Sequence, residues 1–79
     1  MHAANLEKSE RLQRTYRFIR SFGKFGATSF MIQGHTGSMA VATDVSELRR
    51  NGLNIECKYI GTRNGRRAYS YTYKGKEHA

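Results

Sequence analysis

Apolar residues recur along this chain with two different periods. From Leu6 to Phe22 the period is helical: Leu12, Tyr16 and Ile19 fall at steps of four and three, with Phe22 beside them. Arg11, Arg14, Arg17 and Arg20 sweep round the remaining surface, and Gly23 is a natural stop. A short second helix is expected from Phe30 to about His35, capped by the Ser29 hydroxyl, although the run Phe30 to Gln33 would serve equally in a strand. Gly37 then makes a turn. Ser38 is the expected N-cap of a third helix, Met39 to Asn51, whose apolar stripe is Val41, Val45 and Leu48. Met39, Thr43, Ser46 and Arg50 point the opposite way, Ala42 and Arg49 lie on one flank, and Asp44 lies on the other. Gly52 closes this helix in a left-handed conformation.

At Leu53 the period changes to two. Leu53, Ile55, Cys57 and Tyr59 alternate with Asn54, Glu56 and Lys58, and Tyr69, Tyr71 and Tyr73 alternate with Ser70 and Thr72. Two half-buried strands joined as a hairpin follow from this, with Asn64-Gly65 as the turn signal. A two-residue Asn64-Gly65 turn would pair Arg63 with Arg66, set Tyr59 opposite Ser70 and put the two apolar sets on different faces. A three-residue loop, Arg63-Asn64-Gly65, pairs Thr62 with Arg66, Tyr59 with Tyr69, Cys57 with Tyr71 and Ile55 with Tyr73. Because a one-residue slip reverses every side chain, the three-residue loop is expected, with Gly65 left-handed at a bulge.

Length and charge narrow the function. The chain has 79 residues, enough for a single domain over 1–79, with an ordered core over about 6–74 and short tails. Fourteen Lys and Arg against six Asp and Glu leave a net charge of +8, which points to a polyanionic partner. Between Lys58 and Lys76 stand Lys58, Arg63, Arg66, Arg67, Lys74 and Lys76 with no acidic residue among them. The lone Cys57 sits at an apolar position and is expected as a buried, reduced thiol. There is no apolar run long enough for a membrane span, and the segment Met1 to Glu10 lacks the apolar centre of a secretory signal. A cytoplasmic protein, in a bacterial cell or its nucleoid, is expected.

Helix, short helix, turn, helix and hairpin is the order of a winged helix-turn-helix, an α+β domain with three helices followed by a C-terminal β-hairpin wing. In that arrangement the third helix, 39–51, enters the major groove of double-stranded DNA and the wing, 62–67, holds the backbone. Arg50 can fork onto guanine, and Thr43 and Ser46 can bond bases or phosphates. Ser38 can offer a backbone N–H to a phosphate at the helix start, and Gln33 and His35 can touch the backbone. Glu47 can accept from cytosine or pair with Arg50 or Arg11. The expected DNA-binding set is Ser38, Thr43, Ser46, Arg49, Arg50, Arg63, Asn64, Arg66 and Arg67.

The stretch Ser38 to Glu56 also resembles the recognition-helix segment of small winged-helix domains of phages and prophages, through Val45, Ser46, Glu47, Leu48, Arg49, Arg50, Gly52 and Ile55. The similarity covers about residues 29–73. Asp44 departs from it, standing where a basic residue is usual, as does Gly34 inside the second helix. The resemblance implies DNA binding, in transcription control or recombination directionality. A monomer this small would read only a few base pairs, so a homodimer or a protein partner at the DNA site is expected.

Catalysis is not expected, nor is any cofactor or metal. His2 and His78 lie near the ends, His35 stands apart, and no His/Cys set has ligand spacing. Asp44 and Glu47 read as ion-pair partners rather than an acid/base pair, and the glycine-rich phosphate motifs are missing. Two other readings stay open. Tyr69, Tyr71 and Tyr73 could stack RNA bases, or the domain could be an interaction module that inhibits a host enzyme.

Overall fold

A computed structural model describes residues 9–76 of the chain. In chain order the elements are α1 Glu10–Ser21, a 3₁₀ turn Gly23–Phe25, β1 Ala27–Thr28, α2 Ser29–Thr36, α3 Val41–Arg50, β2 Leu53–Arg63 and β3 Arg66–Lys76. The protein is α+β, with three helices and one antiparallel sheet of three strands in the order β1-β3-β2.

Ser9 starts α1, because its hydroxyl accepts from the Leu12 amide and so satisfies one of the free N–H groups at the helix end. The helix therefore begins later than the expected Leu6, and residues 6–8 lie outside the described ones. Its buried stripe is Leu12, Thr15 and Ile19. Thr15 enters the core by donating its hydroxyl to the Arg11 carbonyl one turn back. Tyr16, expected in that stripe, packs at the core margin and meets Tyr73 edge-on at 5.4 Å.

The strand β1 is too short to show a period in the sequence. It pairs Ala27 with Tyr71 and Thr28 with Ser70. Thr28, and not the expected Ser29, caps α2 by accepting from the Met31 amide. Ser29 instead accepts the Tyr69 amide, which docks the start of α2 on β3. Helix α2 ends in a left-handed Gly37 at φ 75°. Helix α3 begins at Val41 after Ala40, with no side-chain cap, so Ser38 is not the N-cap and Met39 precedes the helix.

Hairpin geometry differs from expectation in an instructive way. The turn has two residues: Asn64 and Gly65 both take positive φ, 52° and 78°, as a type I′ turn requires. Arg63 faces Arg66, Thr62 faces Arg67 and Gly61 faces Ala68. Between Tyr59 and Gly61 the register shifts by one residue, so Ile60 is a bulge. Below it the expected pairs form: Tyr59 with Tyr69, Cys57 with Tyr71 and Ile55 with Tyr73. The offset that aligns the apolar faces is thus in the strand and not in the loop. An I′ turn suits the right-handed twist of paired strands, and Gly61 at φ 120° accommodates the bulge.

Leu12, Ile19, Ala27, Ile32, Val41, Val45, Leu48, Leu53, Ile55 and Tyr71 form the core. Helix α3 covers β2 only as far as Ile55, and beyond it Cys57 and Tyr59 are exposed. The expectation of a buried thiol fails because the hairpin outruns the helices.

Gly26 is where the chain can least accept a side chain. Its φ of 77° and ψ of 161° belong to a region open essentially to glycine alone. A Cβ there would meet Ser70 Oγ and Thr72 Oγ1 at 2.7 Å and the Tyr71 carbonyl at 3.2 Å. Gly26→Ala is expected to destabilise the fold by about 2 kcal/mol or more, read as a lower urea midpoint with an unchanged slope.

Candidate functional site

The outer face of α3 is built by subtraction. Val41, Asp44, Val45 and Leu48 turn inward, leaving Ala42, Thr43, Ser46, Arg49 and Arg50 exposed. The side chains of Thr43, Ser46 and Arg50 make no hydrogen bond or ion pair with another described residue. Arg49 is different, because its Nε and Nη2 both donate to the Ile55 carbonyl at 2.9 and 2.6 Å. That fork ties the end of α3 to β2 across the Gly52 turn. Of the expected DNA contacts on this helix, Arg49 is the one already engaged in holding the fold.

Asp44 is 2% exposed and is held by two groups. Arg11 Nη1 from α1 donates to Oδ1, and the Ser38 hydroxyl donates to Oδ2 at 2.7 Å. The second arm of the Arg11 fork reaches Glu47 Oε2 at 2.9 Å. Both carboxylates of α3 are thereby neutralised from one side by a single guanidinium. The sequence left Arg50 and Arg11 open as partners of Glu47, of which Arg11 takes it, and did not point to the burial of Asp44. Ser38 is fully engaged: its hydroxyl also accepts the Ala40 amide, and its own amide donates to Thr36 Oγ1. The expected backbone N–H for a phosphate is therefore already taken at this residue.

The hairpin tip divides its arginines between two faces. Residues directly opposite on paired strands share a face, so Arg63 and Arg66 lie on one side, and Thr62 and Arg67 on the other. Tyr59 donates to or accepts from Thr62 Oγ1 at 3.0 Å. Arg67, Tyr59 and Tyr69 line a shallow recess of about 320 Å³. Arg63 lies over the Phe30 ring at 5.3 Å, a cation–π contact that steadies the tip against α2. The side chains of Arg66 and Arg67 make no hydrogen bond or ion pair with another described residue. Asn64 is exposed at the turn, where its backbone role is plain.

Tyr71 is enclosed between these regions. Burial first, and then the neighbouring Cys57 thiol, push its hydroxyl up to about 12. Its ring is thereby withdrawn from any base-stacking surface.

Another cluster was not legible in the chain. Phe18 of α1 and His35 of α2 stack at 4.3 Å, nearly parallel. With Arg14, Arg17 and Ser21 they line a recess of about 400 Å³. Periodicity could not reveal it, because the two rings come from separate helices whose relative placement it does not specify. Among the described residues no helix is long and apolar enough to cross a membrane.

Removing Arg11 leaves the enclosed Asp44 carboxylate with Ser38 alone. Arg11→Ala is expected to destabilise by about 3 kcal/mol, near the low end for a broken buried pair because Arg11 itself is half exposed. Adding Asp44→Ala should return part of that loss. A double-mutant cycle in urea measures the coupling, and strictly additive losses would deny it.

Comparison with protein-family profiles, with curated proteins and with solved structures finds no match to this chain.

Proposed function

We propose that this protein is a winged helix-turn-helix domain that binds double-stranded DNA in a sequence-dependent way, without catalysis. Helix α3 is its recognition helix and the β2–β3 hairpin its wing. The observation that carries this reading is the charge on α3. Arg11 takes both Asp44 and Glu47, so the exposed Thr43, Ser46 and Arg50 face outward without a competing acid. A major groove lined with base edges and flanked by phosphates suits such a face. The sheet order, with β1 beside β3 and a long hairpin following α3, is also compatible with this architecture.

Arg50 is the base-reading residue in this scheme, with Ser46 and Thr43 beside it. Arg66 and Arg67 hold phosphates from the hairpin tip, and Arg63 does so from its seat on Phe30. Arg49 is a positioning residue that fixes the angle between α3 and the hairpin. Control of transcription or an accessory role in recombination, in a bacterial or phage setting, is the biological context that the sequence resemblance favours. RNA stacking is less favoured because Tyr71 is enclosed.

Fluorescence anisotropy on duplex DNA, at low and at moderate salt, tests this. Binding should weaken steeply with salt through release of condensed cations. Arg66→Ala should weaken binding to all sequences alike and reduce the salt slope by about 1. Arg50→Ala should instead relax preference at one base position by about 1–3 kcal/mol. DNA affinity unchanged by both substitutions would overturn the proposal.

A further inference from the structure

The alternating apolar set of β2 is only half used. Leu53 and Ile55 are buried, but Cys57 and Tyr59 continue the same face into solvent, Tyr59 at 53% exposure. Next to them Ile60 is 49% exposed. Strand β2 is also an edge strand of the sheet.

The direction of its backbone groups follows from two contacts. The Tyr69 amide donates to Ser29 Oγ, so it points away from β2. Tyr59 and Tyr69 are therefore a non-hydrogen-bonded pair, and by alternation so are Cys57 with Tyr71 and Ile55 with Tyr73. The Ile55 carbonyl, taken by Arg49, agrees with this. It follows that the N–H and C=O of Cys57 and Tyr59 face the open edge, where an unpaired row is a template for another strand.

We propose that this edge pairs with the same edge of a second copy of the chain, antiparallel and centred on Cys57. In that register Cys57 exchanges both backbone bonds with Cys57 of the second copy. Glu56 of each chain faces Lys58 of the other, so the two-fold axis creates two opposite-charge pairs from two exposed residues. Ile55 faces Tyr59, which extends the apolar face across the junction. Centring on Glu56 or Lys58 would instead bring like charges together, which is destabilising. The Arg49 fork on the Ile55 carbonyl and the Ile60 bulge bound the shared ladder at its two ends. The proposal is independent of what the basic surface binds.

The charge pairs provide the test. Sedimentation velocity over a concentration series should show a reversible dimer of the wild-type chain. Glu56→Lys alone and Lys58→Glu alone should each raise the dissociation constant about tenfold, because both symmetry-related pairs become repulsive. The double swap, Glu56→Lys with Lys58→Glu, should restore dimerisation by exchanging the partners. A short bis-maleimide should bridge Cys57 to Cys57 in the wild type and the double swap, and much less in either single variant. A monomer at every concentration, a double swap no better than the single variants, or a dimer that resists bridging at Cys57 would each overturn the proposal. Circular dichroism confirms that the exposed substitutions leave the fold in place.

Discussion

The contact between Arg11 and Asp44 governs the relation of α1 to α3. A carboxylate shut away from water is costly unless it is paired and hydrogen-bonded. Asp44 meets both conditions, with Arg11 on one oxygen and Ser38 on the other. Ser38 can do this only by standing ahead of α3 rather than capping it, so the turn after Gly37 is shaped by the same carboxylate. With the second arm of Arg11 on Glu47, the acidic side of α3 is closed off and its opposite side is left polar and basic. One guanidinium thus links packing to the electrostatics of the exposed helix face.

The hairpin is attached to this helical layer at several points along its length. Near its base, Leu53 and Ile55 enter the core, and Arg49 clamps the Ile55 carbonyl. Along β3, Ala27 and Thr28 add a short third strand, and Ser29 binds the Tyr69 amide. At the tip, Arg63 lies on Phe30. A long two-stranded ribbon would be marginal by itself, and these attachments hold it at a defined angle to α3. The bulge at Ile60 moves Arg63 off the tyrosine face and sets it beside Arg66, while Arg67 keeps that face by alternation from Tyr69.

Charge excess and a free strand edge raise different demands. Basic groups at the tip and on α3 repel a second copy, whereas the Glu56 and Lys58 positions are balanced within two residues of each other. In the proposed dimer, confining the self-complementary charges to the middle of β2 keeps the strongly basic tip away from the axis. A chain this small can bury little surface alone, and one copy leaves Cys57, Tyr59 and Ile60 of β2 exposed.

Local pattern by itself determined much of this protein. Helical spacing placed Leu12 and Ile19 on one stripe and Val41, Val45 and Leu48 on another. Alternation marked both long strands, Asn64-Gly65 located the turn, and the demand for a common apolar face yielded the pairs Tyr59–Tyr69, Cys57–Tyr71 and Ile55–Tyr73. Thr43, Ser46, Arg50 and the tip arginines were legible as exposed polar positions, since each follows from its neighbours in the chain. What tertiary structure decided was which surface meets which. Asp44 is buried because Arg11 arrives from 33 residues away. Arg49 is anchored because Ile55 offers a carbonyl. Cys57 is exposed because α3 ends its cover short of it, and β1 exists only because β3 lies alongside. The register offset moved from the loop to Ile60 because a two-residue turn and a glycine bulge together satisfy strand twist and face alignment, a compromise between distant parts of the hairpin that no local period records.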